Sequence, residues 1–158
     1  MKKILLSFII ICLASCNQAK TEKEIISKKQ IVIDLKNIAG KSKLDVDKIL
    51  GKPEQVEPFK ERSTPCKNRP CEKAYYQKDK FEVIFIDGKA DWITVNNLSE
   101  YNFDEENIEI LGLSVTEPDF KNPQSVIRWK NIGNINEINI FNDGSDKISY
   151  AYIKVATE

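Results

Sequence analysis

Residues 81–96 constrain the fold more tightly than any other stretch. Phe81, Val83 and Phe85 fall on one face of an alternating run, with Ile84 and Ile86 on the other. Asp87-Gly88 follows, a pair that tolerates the positive φ angles of a tight hairpin turn. A third apolar run at 90–96 carries Trp92. Residues 73–78, turning at Asp79-Lys80, supply a strand ahead of the hairpin. A chain that closes this hairpin is committed to an antiparallel sheet, and three consecutive strands make a meander.

The second half has the same order of signals. Strands are expected at 125–130, 135–141 and 147–155, with turns at Ile132-Gly133-Asn134 and Asn142-Asp143-Gly144. A helical segment precedes each meander. Ser42-Lys-Leu-Asp45 is a capping-box-like start, Leu44, Ile49 and Leu50 an apolar stripe, and Gly51 with Pro53 a stop. Asp104 caps a second helix through Leu111, ended by Gly112. Alternation of Ile31, Ile33 and Leu35 predicts a further strand near residue 30. The expected class is α+β, short helices packed on antiparallel meander sheet, with related halves at 38–96 and 104–155 inside one globular domain, 30–158.

The N-terminal stretch carries an address rather than a fold. Lys2 and Lys3 precede ten mostly apolar residues, a run of about 15 Å as helix against a hydrocarbon core of roughly 30 Å. That is a secretory signal of residues 1–15. Leu13-Ala14-Ser15-Cys16 matches the lipobox of bacterial lipoproteins, so Cys16 is the expected lipidation site, with residues 16–29 as a flexible tether. Lipid attachment makes the membrane the first expected partner. Asn17 lacks the aspartate of an inner-membrane retention signal, favouring the outer membrane facing the periplasm; the outer face of the cytoplasmic membrane is the alternative.

Loss of Lys2 and Lys3 leaves 22 basic against 24 acidic residues, net −2. A nucleic-acid partner calls for a positive stripe, so none is expected. Cys66 and Cys71 remain for an oxidising compartment, where they are expected to pair. With no histidine in the chain, serine triads and cysteine–histidine dyads are ruled out, and two thiolates are too few for an ordinary zinc site. No metal and no cofactor is expected. Asp34, Asp45, Asp47, Asp87 and Asp91 leave a carboxylate-only enzyme as the least favoured reading.

Binding chemistry is better represented. Tyr75, Tyr76, Trp92, Trp129, Tyr150 and Tyr152 all fall on expected strands. Tyr150 and Tyr152 share a face, while Tyr75 and Tyr76 point opposite ways. Trp92 is expected in the core. Candidate partner contacts are Tyr76, Trp129, Tyr150 and Tyr152, together with Lys67, Asn68 and Arg69 at the tip of the cysteine loop.

Gly40-Lys-Ser42, Val46-Asp-Lys-Ile-Leu-Gly-Lys-Pro53, Tyr75-Tyr76 and the 81–92 segment with Asp87-Gly88-Lys89 resemble the BamE-like (SmpA/OmlA) lipoprotein domain. The likeness covers about residues 38–96, with a fainter echo over 104–155. A tandem of this kind is similar to the fold of beta-lactamase inhibitor proteins. The resemblance implies helix on antiparallel sheet and a non-catalytic role in envelope assembly or maintenance, with an envelope protein as partner. Its alternative is inhibition of a periplasmic or extracellular hydrolase. The second half and the Cys66–Cys71 loop depart from the assembly subunit, so no partner-binding residue carries over.

Overall fold

The computed structural model describes residues 29–59, 66 and 69–156. The expected signal peptide, the expected lipidation site Cys16, the expected tether up to residue 28, Lys67 and Asn68 lie outside the described residues. Eight strands form one antiparallel sheet: β1 (Gln55–Pro58), β2 (Cys71–Tyr76), β3 (Phe81–Ile86), β4 (Lys89–Val95), β5 (Phe120–Asn122), β6 (Val126–Ile132), β7 (Ile135–Asn142) and β8 (Ile148–Val155). Their spatial order is β1-β2-β3-β4-β8-β7-β6-β5. Each half thus contributes four adjacent strands, and the halves join where Trp92–Val95 of β4 pairs with residues 151–154 of β8.

The expected α+β arrangement, helices packed on two meanders, is overturned. The molecule is mostly this single eight-stranded sheet, with few and short helices: α1 (Leu35–Ile38), α2 (Lys43–Leu50) and a 3-10 helix (Glu105–Leu111). The reason is local. Gly51, at φ +91, ends α2 after eight residues. The second helix, capped by Asp104, winds as 3-10 before Gly112 stops it at φ +73. Outside these short segments, strands such as β3 and β8 are rich in β-branched and aromatic residues, which favour strand.

The hairpin forms as expected, with Asp87 at φ +48 and Gly88 at φ +74. Ser42 caps α2 by accepting from the Asp45 amide at 3.2 Å, and its hydroxyl donates to the Asp45 carboxylate at 2.7 Å. Two other expectations fail. The alternation at 31–35 forms no strand, because the Asp34 carboxylate accepts from the Lys36 amide and starts α1 instead. The buried stripe of α2 is Val46 and Leu50, one helical turn apart, while Leu44 and Ile49 are exposed.

α1, α2 and the 3-10 helix all pack on one face of the sheet, giving one main core. Phe81, Val83 and Phe85 of β3 project into it, as do Ile127, Trp129, Ile138, Ile140 and Ile153 of the second half. The chain between β4 and the 3-10 helix runs beside β8: the Leu98 amide donates to Ser149 and the Ile148 amide to Tyr101. Both edge strands are short, and prolines stand on or beside them (Pro58 in β1, Pro123 after β5), which discourages further strand pairing.

Candidate binding face

The opposite face of the sheet carries no helix among the described residues. Strand register fixes what it displays. One continuous row runs across all eight strands: Gln55, Tyr75, Glu82, Thr94, Tyr152, Asn139, Arg128 and Phe120. Beside it lies Glu57, Lys73, Ile84, Trp92, Lys154, Glu137 and Lys130. On its other side, in the second half, lie Tyr150, Phe141, Val126 and Asn122. Six aromatic residues therefore share one face with seven charged ones.

The rings touch each other. Trp92 and Tyr152 meet edge to face across the β4–β8 seam, centroids 5.2 Å apart, and Phe141 stacks on Tyr150 at 4.6 Å. Cations lie over rings at both ends: Lys73 is 4.8 Å from the Tyr75 centroid and Arg128 5.8 Å from that of Phe120. Each cation also pairs with an acid on the neighbouring strand, Lys73 with Glu82 and Arg128 with Glu137 at 3.8 Å. The Tyr75 hydroxyl donates to Glu57 at 2.8 Å, and Arg128 Nε donates to Asn139 Oδ1 at 2.6 Å. Most of the charge on this face is thus neutralised in place.

Titration follows these surroundings. Partial burial works against the Lys73 ammonium, but Glu82 and Tyr75 outweigh it and hold its pKa above the usual lysine value. Tyr152 is raised above an ordinary phenol, first by burial and then by the nearby Asp91 and Glu137 carboxylates. Its hydroxyl and the Trp92 indole nitrogen are both buried with no hydrogen-bond partner among the described residues.

Of the candidate contacts, Tyr150 and Tyr152 lie on this face, half-buried. Tyr76 and Trp129 do not, and both are corrected. Tyr76 is fully buried, its hydroxyl donating to Asp47 at 2.7 Å. Trp129 is 1% exposed and its indole donates to the Thr116 carbonyl at 2.9 Å. The pairing of Tyr76 with Phe81 turns Tyr76 inward and Tyr75 outward. Trp92, expected in the core, lies on the open face, where it packs beside Ile84, Ile86, Phe59 and the cysteines. Tyr75, placed on its strand but not among the contacts, and Phe141 are found by the period-2 alternation of β2 and β7 against buried neighbours; Phe120, on a three-residue strand exposed throughout, has no such signal.

Cys66 and Cys71 form the expected disulfide, Cα atoms 5.9 Å apart. Arg69 beside it is committed to the hairpin tip, 2.7 Å from the Asp87 carboxylate. The acidic residues named from the sequence have separate structural work. Asp34 caps α1, Asp45 pairs with Lys48, Asp47 binds Tyr76 and Lys43, and Asp87 holds Arg69. Asp91 is the buried extra residue where β4 bulges against β3.

No helix of the described residues is long and apolar enough to cross a membrane. No protein-family model matches the chain, and no curated protein matches it. Among solved structures, a cysteine-rich secretory protein from Staphylococcus aureus is similar over 80% of this chain and 47% of that one, with 14% identity and a TM-score of 0.48. The chain thus spans about half the length of that protein, and a likeness at this level carries no functional information.

Proposed function

We propose that this chain is an envelope lipoprotein, anchored through Cys16, whose aromatic sheet face binds a partner protein in envelope assembly or maintenance. The outer membrane, facing the periplasm, is the favoured location; the outer face of the cytoplasmic membrane is the alternative. The observation that carries the reading is the row of aromatic side chains on a face that no helix of the described residues covers. Tyrosine and tryptophan are enriched among the residues that anchor protein contacts. Seven inter-strand spacings make the central row about 34 Å long, enough for an interface burying about 800 Å² on each partner. The motif likeness of residues 38–96 to BamE-like lipoproteins agrees with an envelope role.

Crosslinking and recovery of the lipidated protein from its native envelope tests the proposal. Wild type is expected to retain a reproducible set of envelope proteins. Tyr150→Asp with Phe120→Asp should lose them while remaining folded, and Cys16→Ser should lose those that require the membrane. Repeated recovery of nothing, or recovery indifferent to the two face substitutions, overturns the reading.

A further inference from the structure

A groove of about 530 Å³ opens on the other side of the sheet, beyond the helices, where β1 and β2 meet the β3–β4 hairpin tip. Among the described residues Val56, Pro58 and Pro70 form its walls, with Phe85 at its base. Gly88 adds no bulk, for a Cβ placed there meets nothing within 4 Å. One side chain in the groove is charged toward it. Glu72 alternates along β2 with Ala74 and Tyr76, both buried on the helix side, so its carboxylate lies on that side too. The other acid at the groove, Glu57, is turned to the open face, where it accepts from the Tyr75 hydroxyl.

Glu72 is half-buried and makes no hydrogen bond or ion pair with any described residue, unlike its neighbours Lys73 and Asp87. A half-buried carboxylate among prolines, a valine and a phenylalanine, with no compensating charge among the described residues, favours a cationic partner. A compact cation on an apolar stem matches both features. We propose that this groove takes a lysine side chain of a partner protein, its methylenes along Val56, Pro58 and Pro70 and its ammonium on Glu72. Lysine fits better than arginine because only the Glu72 carboxylate is turned into the groove, the other acid, Glu57, being held by the Tyr75 hydroxyl, so a planar fork of donors meets a single acceptor group.

The Glu72 carboxylate is on the opposite side of the sheet from the aromatic row, so the two can be tested apart. Amide chemical shifts of the protein are followed while the capped peptide Ac-Gly-Lys-Gly-NH2 is added, with the norleucine peptide as its uncharged isostere. The lysine peptide should shift the amides of Val56, Glu72 and Gly88 with millimolar affinity. The norleucine peptide, and the Glu72→Gln protein with the lysine peptide, should each bind at least about tenfold more weakly. Val56→Lys, which places a competing ammonium at the groove, should abolish the response. Tyr150→Asp should leave it intact, so loss of the open-face function does not disturb this result. Equal binding of the two peptides, shifts centred elsewhere, or no shifts at all overturns the proposal.

Discussion

On the helix-covered face of the sheet, the large aromatic residues with polar tips are satisfied: Tyr76 donates to Asp47 and Trp129 to Thr116. On the open face, the Trp92 indole nitrogen and the Tyr152 hydroxyl are buried and unpartnered among the described residues. A buried polar group without a partner costs about 1–3 kcal/mol. The same sheet is therefore finished on one side and left with unmet hydrogen-bonding capacity on the other. That contrast separates residues kept for stability from residues available for recognition, and substitutions matched across the sheet can break it.

The largest difference is expected between Phe85→Ala and Tyr150→Ala. Phe85 is fully buried in the main core, and removing such a ring costs about 3–5 kcal/mol. Tyr150 is half-buried and stacks on Phe141, so its removal should cost about 1 kcal/mol. Urea unfolding at neutral pH, compared at equal slope, reads both. Similar losses for the two would mean that the open face is a second core rather than a surface.

Gly112→Ala comes next. Its φ of +73 disfavours any side chain, and an added Cβ would lie 2.8 Å from Asp34 Cα, a backbone atom. The N-terminal segment is also pinned here, because the Val32 and Ile33 amides both donate to the Ile110 carbonyl. Loss of about 1–3 kcal/mol is expected. A neutral result in thermal unfolding would mean that residues 32–34 simply move aside.

A finer pair is Tyr76→Phe against Tyr152→Phe. The first removes a donor from Asp47 in the covered layer and should cost about 1 kcal/mol. The second removes a hydroxyl that has no partner among the described residues, and should be neutral or slightly stabilising. Equal costs would show that Tyr152 is satisfied in solution and that the two faces do not differ in this respect.

Much of the covered face was legible in the sequence, and little of the open one. The β3–β4 hairpin, the Ser42 cap and the strands of the second meander follow from short-range chemistry: turn residues with positive φ, a hydroxyl three residues before a carboxylate, period-2 alternation. The join of β4 to β8 has no local signal, since it pairs residues nearly sixty positions apart. Yet it alone turns two meanders into one face and brings Trp92 against Tyr152. β1 and β5 escaped notice because they are only four and three residues long and carry charges or proline. Leu44 and Ile49 misled because hydrophobicity does not reveal which side of a two-turn helix meets the sheet. Tyr75 and Tyr76 were correctly opposed, but only their register against β3 says which one is outside.

The smallest effect is also the one that weighs both faces in a single experiment. Tyr76 and Tyr152 have phenol pKa values raised above the ordinary 10.0, each chiefly by burial; Asp47 adds to the first, Asp91 and Glu137 to the second. The unfolded chain releases these protons above about pH 10 while the folded chain keeps them, so the unfolded state then binds fewer protons and stability falls as pH rises. Below pH 10 the contribution is whole. Each such group steepens the alkaline decline by at most about 1.4 kcal/mol per pH unit. Lys73, also raised, declines in the same direction but is common to every variant and cancels in differences. Tyr76→Phe and Tyr152→Phe should therefore each flatten the fall in urea-unfolding free energy between pH 9.5 and 11, beside their separate effects at neutral pH. If Tyr152→Phe leaves the alkaline slope at the wild-type value while Tyr76→Phe flattens it, the open-face hydroxyl titrates as if in water. The burial at the β4–β8 seam would then be too loose to hold a preformed contact surface.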